Sequence, residues 1–561
     1  MSFALAVLLC ATLCGAVPVL ELRSWLPIPD ASNRFLPFLG TADKIAWDDQ
    51  ENYLYVIGTQ SGTLHIVDLM NHSDPRIVFT RVFSEIQDGI PQAIAFCRSP
   101  MREQLVIAFS AKDRLNAGHV EVFKPFLRFD ETLTLVGRVA TEADPSAVKF
   151  DSYCFHFVVA CEGRPGKRNN AFEDPLSHVD VFEPQVNGWT KFTINFQNAR
   201  GLDQARYVYK DSNDPDHSIL NDLEPSDLAI DDNNRVYVIF HENNAIAKFD
   251  LDNLDGGVDI YSLGTKDWNN FDIDTSDKDN AVSPGNDNVN LVRRNIRSFY
   301  QAKNADILHF NNSTFLVTAN TGAYKAYTTA VEGVAFNEAE RARLMNDSLF
   351  DPNLDATTKS ALNNDAELGR LFVSTLKQPS DGWDPLYGYF KHAYAYGGRS
   401  WSMWNADGVN QVYDSGSDLE YEVSQYSRSV FNGDCFSQSM SPPQHLDTRS
   451  DDMGPEPSAI ATGMYHGQKI VAVASGRMGG IWLYSVAEGE GAGLPTATFL
   501  SYIRLGDING NWRTLYDNGD AGVQYISDLL FVNHHDHEMV IAVGSQMGAI
   551  AFLEFEEHSF P

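Results

Sequence analysis

SDLAIDDNNRVYVIFHENNAIAKFDL, running from Ser226 to Leu251, decides how the whole chain is read. A short start leads into a polar turn, then VYVIF, then a second turn and an alternating run. VYVIF is β-branched and aromatic, bounded by turn residues and too short for a helix. It fits a strand buried between neighbouring sheets. The phrase returns about seven times. It begins at Ile45 (IAWDDQENYLYVIGTQSGTLHIVDL), at Ala93 (AIAFCRSPMREQLVIAFS) and at Ser146 (SAVKFDSYCFHFVVACEG, closing with HVDVFEP from His178). It begins again at Ala305 (ADILHFNNSTFLVTANTGAYKAY), at Ser458 (SAIATGMYHGQKIVAVASGRMGGIWLYSV) and at Ile526 (ISDLLFVNHHDHEMVIAVGSQMGAIAFLEF).

One such sheet cannot bury its own faces, whereas a ring of them can, leaving few free edges. The expected fold is all-β: a seven-bladed β-propeller in residues 17–561, with LELRSWLPI from Leu20 pairing onto the last blade. A series of β-sandwiches is the alternative, since strand patterns alone do not count sheets. His65, Val67 and Leu69 alternate with Leu64, Ile66 and Asp68, as expected of a strand near the rim. The stretch between Asn320 and Asp451 exceeds one blade, so a long insertion is expected in the fifth, at about 323–368. FNEAERARLMND from Phe336 has helical composition.

MSFALAVLLCATLCGA, residues 1–16, reads as a secretory signal peptide, although no Lys or Arg precedes its apolar run. A buried strand is the alternative. No other run approaches the length of a membrane span, and the C-terminus lacks a lipid-anchor signal. The expected location is secreted and extracellular. Four cysteines, Cys97, Cys154, Cys161 and Cys435, follow the leader. Cys97 and Cys154 both follow the first strand of consecutive units, which suggests one disulfide; Cys161 with Cys435 follows by elimination. Four buried thiols are the alternative. Asn71, Asn311, Asn312 and Asn346 stand in N-x-S/T sequons in polar segments, as glycan acceptors should.

The formal charge of −33 argues against nucleic acid, whose phosphates need a basic surface. It favours cations and basic partners, or serves solubility alone. Asp272, Asp274, Asp277 and Asp279 offer clustered oxygens of the kind calcium takes. They lack the Gly and distal Glu of an EF-hand loop, and a solvated loop is the alternative. Asp451, Asp452 and Glu456 in RSDDMGPEP stand beside Arg449, as a metal site or a structural ion-pair knot. His534, His535, Asp536, His537 and Glu538 occupy a turn and read as exposed polar residues rather than a metal centre. Neither G-x-S-x-G, H-E-x-x-H nor a P-loop occurs, and no catalytic residue is assigned.

Taken together, GTQSGTLHIVDL, ACEGRPG, LGTKDWNN with SDKD, FLVTANTGAY, LGRLFVST, GGRSWSMWNADG, VYDSGSD and RSDDMGPEPSAI resemble one family. It is that of the mesenchyme-specific cell-surface glycoproteins of biomineral-forming cells and their bacterial secreted relatives with the choice-of-anchor domain. The resemblance runs from about Leu20 to Glu557. It implies an extracellular propeller tied to calcified matrix, with calcium ions, mineral surfaces or matrix proteins as partners. Some bacterial relatives are labelled phosphatase-like, which implies the alternative of a calcium-dependent phosphomonoesterase; a general protein-interaction propeller is the third. Glu162, Glu242 and Glu456 persist where the family carries acids near the channel mouth. Ala323 and Gly476 replace others, which weakens the phosphatase reading.

Overall fold

The structure, a computed structural model, describes residues 17–169, 171–211, 214–279, 289–327, 336–489, 493–534 and 537–558. The expected leader at 1–16 and the His535–Asp536 turn lie outside them.

Among the described residues seven antiparallel sheets have four strands each. Their first strands are Lys44–Asp48, Ile90–Ser99, Pro145–Phe150, Pro225–Ile230, Ala302–Phe310, Pro457–Tyr465 and Ile526–His534. Six sheets run outward in chain order. In the last, Val17–Pro27 from the start of the chain supplies the fourth strand, antiparallel to Ala549–His558.

Side-chain alternation shows how the sheets close into a ring. In the first sheet Tyr55, Ile57, Leu64 and Ile66 pack with Leu105, Ile107 and Phe109 of the second. The intervening Leu54, Val56 and Val67 pack with Ile541, Val543 and Phe552 of the last. A two-residue period thus gives each sheet one apolar face for each neighbour. The same division recurs between sheets two and three, three and four, four and five, five and six, and six and seven. Thr63–Asp68 is therefore not a rim strand; it is buried except at Asp68. The rim strand is Arg76–Val82, where exposure alternates.

The first strands line the axis. In six of them pairing slips by one residue, at Gln92, Ser146, Ser226, Lys303, Ser458 and Ser527. Such a bulge re-aims one side chain, and here all six line the axial cavity with Lys44.

Between the second and third strands of the fifth sheet lie residues 321–399, a longer stretch than the expected 323–368. The described residues of this stretch and of 265–299 build a side lobe with its own core, including Trp268, Ile296, Phe350, Leu362, Leu371 and Phe390. Residues 336–347 do not form the expected helix. Ala339–Arg341 pairs instead with Phe372–Ser374, a tertiary contact that overrides local propensity. The helix is Ala356–Leu362, capped by Asp355, whose carboxylate accepts the Thr358 N–H. No helix among the described residues is long and apolar enough to cross a membrane.

Cys97 is bonded to Cys154 with their Cα atoms 5.6 Å apart. The pairing by elimination is corrected: Cys161 and Cys435 are buried free thiols. They sit in different cores, Cys161 between sheets two and three and Cys435 between sheets six and seven.

Candidate functional site

The axial cavity, about 720 Å³, touches all seven first strands. Its wall is held by side chains that reach from one sheet to the backbone of the next. Ser146 donates to the Pro225 carbonyl at 2.8 Å, Ser458 to Ile526 at 2.5 Å and Ser527 to Asp43 at 2.8 Å. Asp227 accepts from the Ala305 N–H at 3.0 Å, Asn304 from Ile460 at 2.8 Å and Asp528 from Ile45 at 3.2 Å.

Two of the expected acids, Glu162 and Glu242, line this cavity with Arg164 and His241. Burial, with Asp144, Glu224 and Glu242 nearby, pushes Glu162 up to about 8 against the pull of Arg164. Arg164 holds Glu162 at 3.0 Å and grips Asp144 at 2.6 Å. Beside them Lys325, which comes from the side lobe, pairs with Glu224 at 2.9 Å and Asp222 at 3.0 Å. Burial lifts Glu224 to about 7. Glu242 has an oxygen with no hydrogen-bond partner among the described residues.

The RSDDMGPEP acids divide. Glu456 is pinned by Arg449 and Arg477, each at 2.7 Å, and Arg449 also takes Asp452 at 2.7 Å. Asp451 faces away, bound at 2.8 Å by both Arg341 and Arg370.

Arg370 joins Asp451 to Asp277, so two motifs distant in sequence meet. Burial works against the charge on Asp277, but hydrogen bonds from Lys278 and Arg370 outweigh it and lower its pKa. Asp272 stands apart, exposed at the surface. Asp274 is wholly buried and accepts the N–H groups of Ser276 and Asn290 at 3.3 and 2.7 Å.

Asp447, Glu420 and Asn432 complete this region, and the sequence motifs point to none of them. Ser450 links them, donating to Asp447 at 2.5 Å and accepting from Asn432, whose amide also donates to Glu420. Among the described residues, one oxygen of each of the three lacks a hydrogen-bond donor. Burial and then the Asp274 charge push Asp447 up to about 10. Burial and then Asp279 push Asp274 up to about 8, and burial takes Asp279 to about 6. The oxygens are of the type calcium prefers. Even so, no three His, Cys, Asp or Glu side chains among the described residues already converge to hold a metal ion. The only signal of Asp447 in the sequence is its nearness to RSDDMGPEP; Glu420 lies in the helix Asp418–Tyr426.

A ring of four-stranded sheets around a polar axial cavity is a β-propeller. Residues 43–489 match the choice-of-anchor I domain, and the chain belongs to that family. A curated relative, the "Mesenchyme-specific cell surface glycoprotein" of Strongylocentrotus purpuratus, is 28% identical over 328 residues. The match covers 54% of this chain and 40% of that protein. "Gigasin-3a" of Magallana gigas is 28% identical over 199 residues, 34% of this chain and 66% of that one. The chain thus spans less than two thirds of either relative. Among solved structures, Kuenenia stuttgartiensis hydrazine synthase aligns with a TM-score of 0.42 at 9% identity, covering 92% of this chain and 96% of that one. The Cps50 (Swd1) β-propeller domain of Myceliophteria thermophila aligns with 0.39 at 8% identity, covering 93% and 97%.

Proposed function

We propose that this chain is a secreted acidic glycoprotein that contacts calcium, mineral or matrix surfaces without catalysis. Each four-stranded sheet is counted as one of seven blades, with the side lobe carried by the fifth. The observation that carries the reading is membership of the choice-of-anchor I family, together with the curated name of a cell surface glycoprotein among its relatives. The Cys97–Cys154 bond supports an oxidising compartment. Asn71, Asn311, Asn312 and Asn346 are all exposed, as glycan acceptors must be.

The enzyme alternative needs free carboxylates at the cavity mouth for metal-assisted phosphoester hydrolysis. Arg164 already engages Glu162 in the cavity, and Lys325, Arg449 and Arg477 engage Glu224 and Glu456 nearby, which supports the non-catalytic reading. Calcium is proposed to contact the acidic surface, and to relieve the mutual repulsion of Asp447 with Asp274 and Asp279 of the lobe. The test is retention of the secreted protein on calcium phosphate or carbonate particles and on collagenous matrix at rising salt. Calcium-dependent retention at physiological salt is expected. Failure to bind any of these surfaces would sink the reading, and chelator-sensitive hydrolysis of a phosphomonoester would replace it with the enzyme.

A further inference from the structure

The axial cavity carries cationic side chains that the reading above does not use. The bulged position faces the axis in six sheets, and in four of them it is serine: Ser146, Ser226, Ser458 and Ser527. In the fifth sheet it is Lys303, and the first sheet contributes Lys44. A protein of charge −33 thus places two ammonium groups in its own channel. A third, Lys149, is balanced there, its charge favoured by Asp227, Asp528 and Asp306 against the desolvating channel wall.

Lys303 is not balanced in this way. Among the described residues no hydrogen bond or ion pair within 4.0 Å engages its ammonium. Its side chain is exposed to the channel; enclosure by the channel wall and then Lys44 push its pKa down, with Arg477 adding to the effect and Glu456 and Glu242 opposing it. Among the described residues Lys44 donates only to a neutral carbonyl, that of Ser527, at 3.1 Å.

Most acids of the cavity have other work. Asp43 accepts from the Thr59 N–H, Asp227 from Asn304 and Ala305, Asp528 from Ile45, and Glu162 is held by Arg164. Among the described residues, Glu242 retains a buried oxygen without a hydrogen-bond partner. His241 lines the same cavity at 8% exposure, with Nε2 likewise unpartnered.

We propose that the channel binds a small multivalent oxyanion of the phosphate class on Lys303 and Lys44, with His241 as a neutral donor. A compact anion meets two cations there, and charge-assisted hydrogen bonds are the strong ones. Glu162 and Glu242 on the same wall disfavour long polyanions.

The test is thermal unfolding of the intact secreted protein in inorganic phosphate against chloride at matched ionic strength. The variant is Lys303→Ser, which installs the residue native to four sister positions and so keeps the bulge. A second variant, Lys303→Gln, retains length without charge, and Lys112→Ser controls for loss of surface charge. A saturable phosphate-specific rise in melting temperature is expected, unchanged in K112S. Affinity should fall about tenfold or more in K303S and K303Q, the loss expected on removing hydrogen bonds to a charged group. The absence of a saturable rise in the native chain, or one equal in K303S and K303Q, would overturn the proposal. Retention on mineral or matrix is read separately, so either result leaves that measurement independent.

Discussion

The Asp528 carboxylate on the last sheet accepts the backbone N–H of Ile45 on the first at 3.2 Å. This bond crosses the seam where the two ends of the ring meet, and Asp227 makes the equivalent bond from the fourth sheet to the fifth. Ile45 is 4% exposed, so its N–H has little recourse to water. Asp528→Ala should therefore cost about 1–3 kcal/mol, the penalty for an orphaned buried donor. Asp528→Asn keeps an acceptor and should cost less. Denaturant unfolding with amide exchange at Ile45 checks both, and unchanged protection at Ile45 in D528A would refute the seam role.

Cys97 and Cys154 close a loop of sequence separation 57 between the second and third sheets. The chain-entropy treatment of such a loop gives about 4 kcal/mol of stabilisation. The Cys97→Ser, Cys154→Ser double variant should unfold at correspondingly lower denaturant. Alkylation of the folded native chain should spare Cys161 and Cys435, whose thiols are buried and pushed up by burial. Their rapid labelling in the folded state would contradict the placement.

Asp279, Asp274 and Asp447 have folded pKa values raised to about 6, 8 and 10. A raised carboxylate pKa means that the folded state binds protons more tightly than the unfolded chain. The contribution is full below about pH 4, near the unfolded value. It is lost as pH climbs through about 6, 8 and 10. Every tenfold difference in proton affinity between the folded and unfolded chain is worth about 1.4 kcal/mol. The melting temperature should thus fall from about pH 5 to about pH 9. Asp447→Asn should flatten that fall. Calcium at about pH 8 should restore stability in the native chain and do so less in D447N. A pH profile identical in the two proteins would remove Asp447 as its cause.

The ring is legible in the sequence because its signal repeats. VYVIF and its counterparts announce buried strands, and alternation along them supplies two apolar faces. The side lobe is not legible, since its core draws Trp268 and Ile296 from the segment before the fifth sheet and Phe350, Leu371 and Phe390 from within the insertion. Residues 336–347 have helical composition, but pairing of Ala339–Arg341 with Phe372–Ser374 decides their form. The acids of FDIDTSDKDN stand out by composition, whereas their neighbours Asp447, Glu420 and Asn432 arrive through tertiary packing. RSDDMGPEP is readable as an ion-pair knot or a metal site, and only geometry shows Arg449 and Arg477 on Glu456.

Arg206 fastens the lobe to the ring. It is 2% exposed, and its guanidinium meets both Asp381 oxygens at 3.1 Å, pairs with Glu338 and lies 4.2 Å from the Phe299 ring centre. Glu338 and Asp381 both belong to the lobe and are wholly buried. Removing the cation alone leaves two carboxylates uncompensated, a change that costs about 3–5 kcal/mol in buried pairs. Arg206→Met should therefore loosen the lobe first, exposing residues 336–399 to limited proteolysis while the sheets of the ring stay protected. The triple variant R206M/E338Q/D381N removes all three charges and should recover much of the loss. If R206M leaves lobe cleavage unchanged, or if the ring and lobe melt together with the triple variant no better than the single one, Arg206 is not the fastening.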